Sequence, residues 1–428
     1  MPQTPESRLT AITDRFRDRE VYLWGARQDG LSMCRVLERQ GRRPAGFIDS
    51  SVSLQGKTVL DYPVKAPAEI LKKNGQRPYI IITSGFFADE IALQCRQAGF
   101  TTPRDFITFT EIQRFDYQID ISGACNLRCI SCPRGNFSPQ PRAGFMTAAT
   151  FEKVLEKILR EDPFVGAVSL YNWGEPLLNP QLAEIIRIAN AKGVHTAVSS
   201  NLNIRKDFAD VIAARPTWFR VSVSGAGKNY EITHTGGSWD LFLKNLYRLR
   251  QLQEELHPDL QVEVFYHIYR HNNGEDFRLL QRLCEELDFT LRFRHAALAP
   301  LENIEAVIDG KPLNPQVRRT MELQALPVPE AMEIARTQKD RPCFYERCLW
   351  ITWDLKVSQC MEWFDPKLLL VPGDFLSSPL QEIEAARKNN AFCRHCQERA
   401  IHRCYAVYGD EKLVHQRQSV ALPLGNAS

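Results

Sequence analysis

The sequence predicts an α/β protein built from consecutive parts. Residues 1–112 read as a doubly wound parallel sheet and 113–298 as a partial (β/α)6 barrel. Residues 299–342 read as a connecting segment and 343–428 as a small cysteine-rich unit. Three observations predict this. Short apolar runs alternate with amphipathic helical patterns from Val21 to Phe293, as in parallel strands joined by crossover helices. Polar and reactive residues gather just after those runs, where barrel folds collect their chemistry. Nine of the twelve cysteines fall into two groups, 125–132 and 343–404, so they belong to sites rather than to a core.

In the first part, Val21–Trp24 is a strand, followed by Gly25-Ala26-Arg27-Gln28-Asp29-Gly30 and a helical pattern through Leu31, Cys34, Val36 and Leu37. A second strand, Ala45–Ile48, ends at Asp49. A helix near Ala66–Lys73, a buried strand Tyr79–Thr83, a helix near Ala88–Ala98 and a strand near Phe106–Thr108 complete it. Asp49 stands where a dinucleotide fold places its ribose acid, but Arg27 interrupts the glycine fingerprint. Nucleotide binding and a cofactor-free form of the same fold both stand.

The barrel begins with Tyr117–Ile121, which leads straight into Cys125, Cys129 and Cys132. A helix at Phe151–Arg160 precedes strand two, Ala167–Tyr171, which runs into Trp173-Gly174-Glu175-Pro176. A helix at Pro180–Lys192 precedes strand three, Val194–Ser199, ending in Ser200-Asn201. A helix near Ile204–Ala214, strand four at Trp218–Val223, a helix at Trp239–Leu256 and strand five at Val262–Ile268 follow. A helix at Asp276–Leu287 and strand six at Thr290–Phe293 close the pattern. Right-handed crossovers make these six units a barrel open on one side.

Three thiols at a CxxxCxxC spacing on one loop cannot all face a core, and their thiolates need a cation to offset mutual repulsion. An iron–sulfur cluster or zinc answers that need. A cluster held by three sulfurs keeps one iron open for a small molecule.

Cys125, Cys129 and Cys132 resemble the cluster motif of the radical S-adenosylmethionine (SAM) enzymes. The resemblance implies a [4Fe–4S] cluster whose open iron chelates SAM and cleaves it to a 5′-deoxyadenosyl radical that abstracts hydrogen from a substrate. Gly174-Glu175-Pro176 resembles the family's GGEP motif, with Trp173 in place of the first glycine; Glu175 is then the acceptor for the SAM ammonium group. Ser200 and Asn201 match the strand end that holds the SAM ribose, and Ser222 matches a contact to its carboxylate. The residue before the third cysteine is usually aromatic in the family and here is Ser131. His267 and Asn272 lie where a strand-five motif belongs, without matching it.

Residues 299–342 are polar and carry six prolines, hence the expectation of a connecting segment. Beyond them, Leu349–Trp353 and Lys356–Cys360 read as two strands joined at Asp354-Leu355, with Gly373-Asp374-Phe375 and a helix at Leu380–Lys388 after them. This is similar to the SPASM or twitch extension of radical SAM enzymes, which implies an auxiliary [4Fe–4S] cluster on Cys348, Cys360, Cys393 and Cys396. Cys343 and Cys404 are left over. Zinc at Cys393-Arg394-His395-Cys396 is the competing reading, since CxxC is also its spacing. The first part is similar, at the level of fold, to the small Rossmann-like domains that precede sugar-modifying transferases.

A chain of 428 residues is too long for one ordinary core. A net charge of +3 gives no reason to expect nucleic acid, no stretch approaches a membrane span, and MPQTPESR is no signal peptide. The expected compartment is the cytoplasm, where clustered cysteines serve metals or redox chemistry. Cys34, Cys95 and Cys284, scattered on apolar faces, read as core thiols.

The expected enzyme acts on a sugar, cyclitol or nucleotide-sugar, by oxidation or epimerisation, with a peptide substrate as the alternative. A flavodoxin or ferredoxin is the implied low-potential electron donor. A non-catalytic zinc scaffold is the reading from another class.

Overall fold

Val21–Trp24 and Tyr79–Ile82 are apolar at every position, the pattern of strands covered on both faces. The computed structural model describes residues 5–52, 54–72, 76–84, 87–388, 390–410 and 413–414. Lys73, the end of the expected second helix, and the chain after Val414 lie outside them. In the first sheet, β1 (Val21–Trp24), β2 (Gly46–Ile48), β3 (Thr58–Val59), β4 (Tyr62–Lys65), β5 (Tyr79–Ile82) and β6 (Phe106–Thr108) stand in the order β3-β4-β2-β1-β5-β6. All pairs are parallel except β3–β4. Alternate residues feed two cores: Leu23 and Ile81 on one face, Tyr22, Trp24, Ile80 and Ile82 on the other.

The second sheet continues from β7 (Asp116–Ile119) through β8 (Ala167–Ser169), β9 (His195–Ser200), β10 (Trp218–Val223), β11 (Gln261–Ile268) and β12 (Thr290–His295). These six are parallel and lie side by side in sequence order, as the alternating pattern predicts. Outward residues such as Val198, Val221, Val264 and Tyr266 pack with Phe151, Leu246 and Leu249 of the covering helices. Arg220, Ser222, Glu263, Phe265 and Arg292 alternate with the outward residues and line the inner wall.

The cysteine-rich tail extends this same sheet. β13 (Cys348–Ile351) pairs parallel to β7, and β14 (Lys356–Ser358) and β15 (Leu369–Asp374) add antiparallel.

The connecting segment needs correction. Residues 299–342 contain helices Leu301–Ile308, Pro315–Leu323 and Val328–Thr337. Leu301, Ile304, Val317, Ala331, Met332 and Ala335 form a core with Ile401, Cys404 and Tyr408. Pro300, Pro315, Pro327 and Pro329 sit at helix starts, where the missing N–H costs nothing. They punctuate helices rather than prevent them.

Arg39 joins the two sheets. Its guanidinium donates to the carbonyls of Gly193 (2.8 Å), Pro163 (3.2 Å) and Val165. Among the described residues, no helix is long and apolar enough to cross a membrane.

Candidate active site

The cysteine loop is held from several sides. Beyond β7, Ser122 bridges Phe145, and Gly123 N–H donates to Gly144 O at 2.8 Å. Arg128 N–H and Ile130 N–H donate to Thr235 O (2.9 Å) and Thr233 O (3.1 Å). Asn136 donates to Ile130 O at 2.9 Å and Ala299 O at 2.8 Å. Cys125, Cys129 and Cys132 are half-buried free thiols. Burial pushes Cys125 up to about 12 and Cys132 to about 11, and raises Cys129 well above its ordinary value. Mutual repulsion adds to this at Cys125 and Cys129, so the three thiols are neighbours.

The Gly174-Glu175 segment lies against this loop. A Cβ on Gly174 would collide with Ser122 O, so only glycine permits the approach. Glu175 N–H donates to Ala124 O at 2.8 Å. The Glu175 carboxylate is 2% exposed and accepts from Leu177 N–H (3.0 Å) and Asn201 N–H (2.8 Å). Burial raises it to about 7, against the pull of those two donors and of the Ser200 hydroxyl. Asn201 Nδ2 donates to Asn126 Oδ1 at 3.1 Å and faces Cys125 Sγ at 3.7 Å. The structure therefore brings Cys125, Gly174, Glu175 and Asn201 together. Ser200 is buried, and its hydroxyl accepts from Leu202 N–H at 3.0 Å. Ser222 belongs to the inner wall, with its Oγ 3.5 Å from Ser199 Oγ.

Two residues absent from the sequence reading belong here. Asp120 is buried and accepts from Trp173 N–H at 3.2 Å, and burial raises its carboxyl to about 6. Tyr269, buried beyond β11, donates its hydroxyl to Ser131 Oγ at 2.5 Å. Asp120 immediately follows a strand that runs into the cysteines, a signal available in the sequence; Tyr269 carried none.

The inner wall is polar and charged. Arg220 pairs with Glu263 at 3.0 Å and lies 4.8 Å from the Phe265 ring centre and 5.9 Å from that of Tyr171. Arg292 approaches the same carboxylate at 3.7 Å. His267 is held down to about 3 by burial, with the positive charge of Arg294 adding to it. His267 and Asn272 do not act alike: Asn272 turns inward to cap the chain at Tyr269 N–H, 2.7 Å away.

In the tail, Cys343, Cys360, Cys393 and Cys396 form one neighbourhood. Burial raises them all, and repulsion links Cys396 to Cys360, Cys343 and Cys393. Cys348 stands beside Cys360, Asp116 and Arg387. Arg387 ties the region together, donating to Gln359 O (2.8 Å) and Cys348 O (2.6 Å). Cys404 is buried in the helical core. His395, within the CxxC, turns to Glu305 at 2.9 Å. Among the described residues, no three His, Cys, Asp or Glu side chains close on a single metal ion.

Residues 119–284 match the model of the Radical SAM superfamily. No curated protein matches the sequence. Solved structures resemble it at low identity. BtrN in complex with AdoMet and 2-DOIA is 14% identical over 68% of this chain and 90% of its own, with a TM-score of 0.38. Native anSMEcpe with bound AdoMet is 14% identical over 71% and 99%, with a TM-score of 0.44. Streptococcus suis SuiB bound to precursor peptide SuiA is 13% identical over 76% and 75%, with a TM-score of 0.46.

Proposed function

This chain carries a radical SAM domain at residues 119–284 and is an enzyme of that superfamily, and from this premise we propose that it abstracts hydrogen from a polyhydroxylated small molecule, a sugar, cyclitol or nucleotide-sugar. A [4Fe–4S] cluster and SAM are its cofactors; when bound, they supply a 5′-deoxyadenosyl radical. Three neighbouring thiols, each kept protonated by burial and repulsion, fit a group whose positive charge draws off their protons. In this reading Cys125, Cys129 and Cys132 hold the cluster. Glu175, beside Cys125, accepts from the SAM ammonium group. Leu177, Asn201 and the Ser200 hydroxyl take three of its four lone-pair sites and leave one for the ammonium group. Gly174 lets the backbone approach, while Asn201, Ser200 and Ser222 offer short polar groups to the ribose and carboxylate.

The inner wall carries the substrate class. Arg220, Glu263, Arg292 and His267 present fixed donors and acceptors beside the aromatic faces of Phe265 and Tyr171. Such a wall suits a ligand dense in hydroxyls more than an apolar one. For the auxiliary cluster, we favour Cys343, Cys360, Cys393 and Cys396, with Cys348 adjacent, as an acceptor of an electron from the substrate radical. With the hydroxyl proton released to a base, loss of a hydrogen atom and of one electron to such a cluster would convert an alcohol to a ketone. Twelve free cysteines suit a reducing, cytoplasmic setting with a flavodoxin or ferredoxin as donor.

The test is anaerobic reconstitution with iron and sulfide, then SAM and a reductant. We expect 5′-deoxyadenosine, and deuterium transferred into it from a deuterated sugar or cyclitol. No 5′-deoxyadenosine from the iron-loaded protein would overturn the radical reading. Deuterium arriving only from a peptide would overturn the substrate class.

A further inference from the structure

The hairpin of the cysteine-rich tail reaches both loops assigned to the cluster and SAM. Trp353, on the turn between β13 and β14, lies in a slot made by Gly123 and Gly144. A Cβ on Gly123 would run into Nε1 and Cδ1 of the indole, and a Cβ on Gly144 into its six-membered ring. The two glycines are themselves joined, Gly123 N–H to Gly144 O, at 2.8 Å. The indole N–H reaches Arg142 O at 3.3 Å. Cys125 follows two residues after Gly123. Beyond β14, Met361 O accepts from Trp173 Nε1 at 3.0 Å and from Asn172 Nδ2 at 3.2 Å, just ahead of Gly174-Glu175.

We propose that Trp353 is a positioning residue for the SAM site: its ring, seated between Gly123 and Gly144, sets where the cysteine loop stands relative to Glu175. The Gly123–Gly144 ladder alone leaves that loop an edge whose outer face is bare backbone. The half-buried ring fills the slot against both glycines, and this contact restricts where the two backbones can stand. The grip of Met361 on Trp173 fixes the partner loop from the segment that follows this hairpin. The tail thereby acts on SAM binding without touching SAM.

This rests on the radical SAM reading, and the experiment separates the two. Iron-loaded protein is titrated with SAM. Affinity is read by equilibrium dialysis and by the change in the reduced cluster's electron paramagnetic resonance signal. Wild-type protein with no SAM response would fail the underlying reading. Given a wild-type response, Trp353→Ala should weaken SAM binding about tenfold, and Trp353→Phe, which keeps a flat ring, should recover most of it. Gly144→Ala, whose methyl group meets the indole, should weaken binding similarly. The double variant Gly144→Ala/Trp353→Ala should be no worse than Trp353→Ala alone, since the clash needs the ring. If Trp353→Ala lowers total iron, Trp353→Phe and Gly144→Ala decide. Unchanged SAM affinity in Gly144→Ala, or strictly additive losses in the double variant, overturns the inference.

Discussion

The hydroxyl of Tyr269 lies 2.5 Å from Oγ of Ser131, joining the end of β11 to the residue before the third cysteine of the loop. Tyr269 is 1% exposed, so this bond forms where water cannot replace it. Its ring packs with Ile130 and Ala296. An aromatic residue thus reaches position 131 from another strand, although position 131 itself is a serine.

Tyr269→Phe keeps that packing and removes one buried hydrogen bond. We expect a loss of about 1 kcal/mol in stability and faster loss of iron from the reconstituted protein. Urea unfolding and iron release to a chelator measure the two effects. Wild-type values for both would show that the bond does not hold the loop.

Glu175 gives a second prediction. Its carboxylate is engaged with Leu177 and Asn201, and it neighbours Cys125. Glu175→Ala should weaken SAM binding by about 1.5–3 kcal/mol, the worth of a hydrogen bond to a charged group, with iron content retained. Calorimetric titration of the iron-loaded variant checks this, and an affinity equal to wild type would remove Glu175 from the SAM site.

How far the sequence was legible depends on how local each signal was. The helix Trp239–Leu256 falls where its apolar period puts it, and the structure adds a cap, Ser238 accepting from Leu241 N–H at 3.4 Å. The β3–β4 hairpin escaped notice because its turn passes through Leu60 and Asp61, both at positive φ, without a glycine to mark it. The helices over 301–337 were hidden by prolines that start them. At the site, Cys125, Glu175 and Asn201 could be placed because each lies on the loop that follows its own strand. Trp353 and Tyr269 could not, because they reach the cysteine loop from more than a hundred residues away. Cys343 reads as surplus by spacing and joins its partners only through the fold.

His195, at the base of β9, gives the pH dependence. It is 4% exposed, with Thr217 Oγ1 2.6 Å from Nδ1. Burial lowers it to about 3, and the cations Arg35 and Arg39 add to this. The folded protein therefore keeps this imidazole neutral where the unfolded chain takes up a proton. Stability is complete above about pH 6.5 and falls as pH drops towards 3, by about 2 kcal/mol at pH 5 from this group. His267 at about 3 and His234 at about 4 act in the same direction. We expect His195→Gln to lose less stability than wild type between pH 7 and pH 5, measured as urea midpoints. An equal loss in both proteins would contradict the assignment.

The last prediction separates the thiols of the tail. Spacing favours Cys348, which stands at the start of the hairpin strand β13. The fold favours Cys343: repulsion connects it to Cys393, Cys360 and Cys396, whereas Cys348 shares its surroundings with Asp116, Cys360 and Arg387. Cys343 and Cys393 are half-buried and Cys348 is buried, its backbone carbonyl held by Arg387 at 2.6 Å. A carboxylate lies near each of these two thiols, Glu346 at Cys343 and Asp116 at Cys348, so the distinction rests on the three thiols that Cys343 neighbours against the one beside Cys348. In protein whose Cys125, Cys129 and Cys132 are replaced by alanine, about four irons per chain should remain after reconstitution. Adding Cys343→Ala should remove them, while adding Cys348→Ala or Cys404→Ala should leave them, although both sites are buried and their loss lowers stability. Iron content and the visible absorption of the cluster report the outcome. Retention of iron by Cys343→Ala together with its loss from Cys348→Ala would restore the set that spacing favours, and zinc in place of iron would end the redox role proposed for the tail.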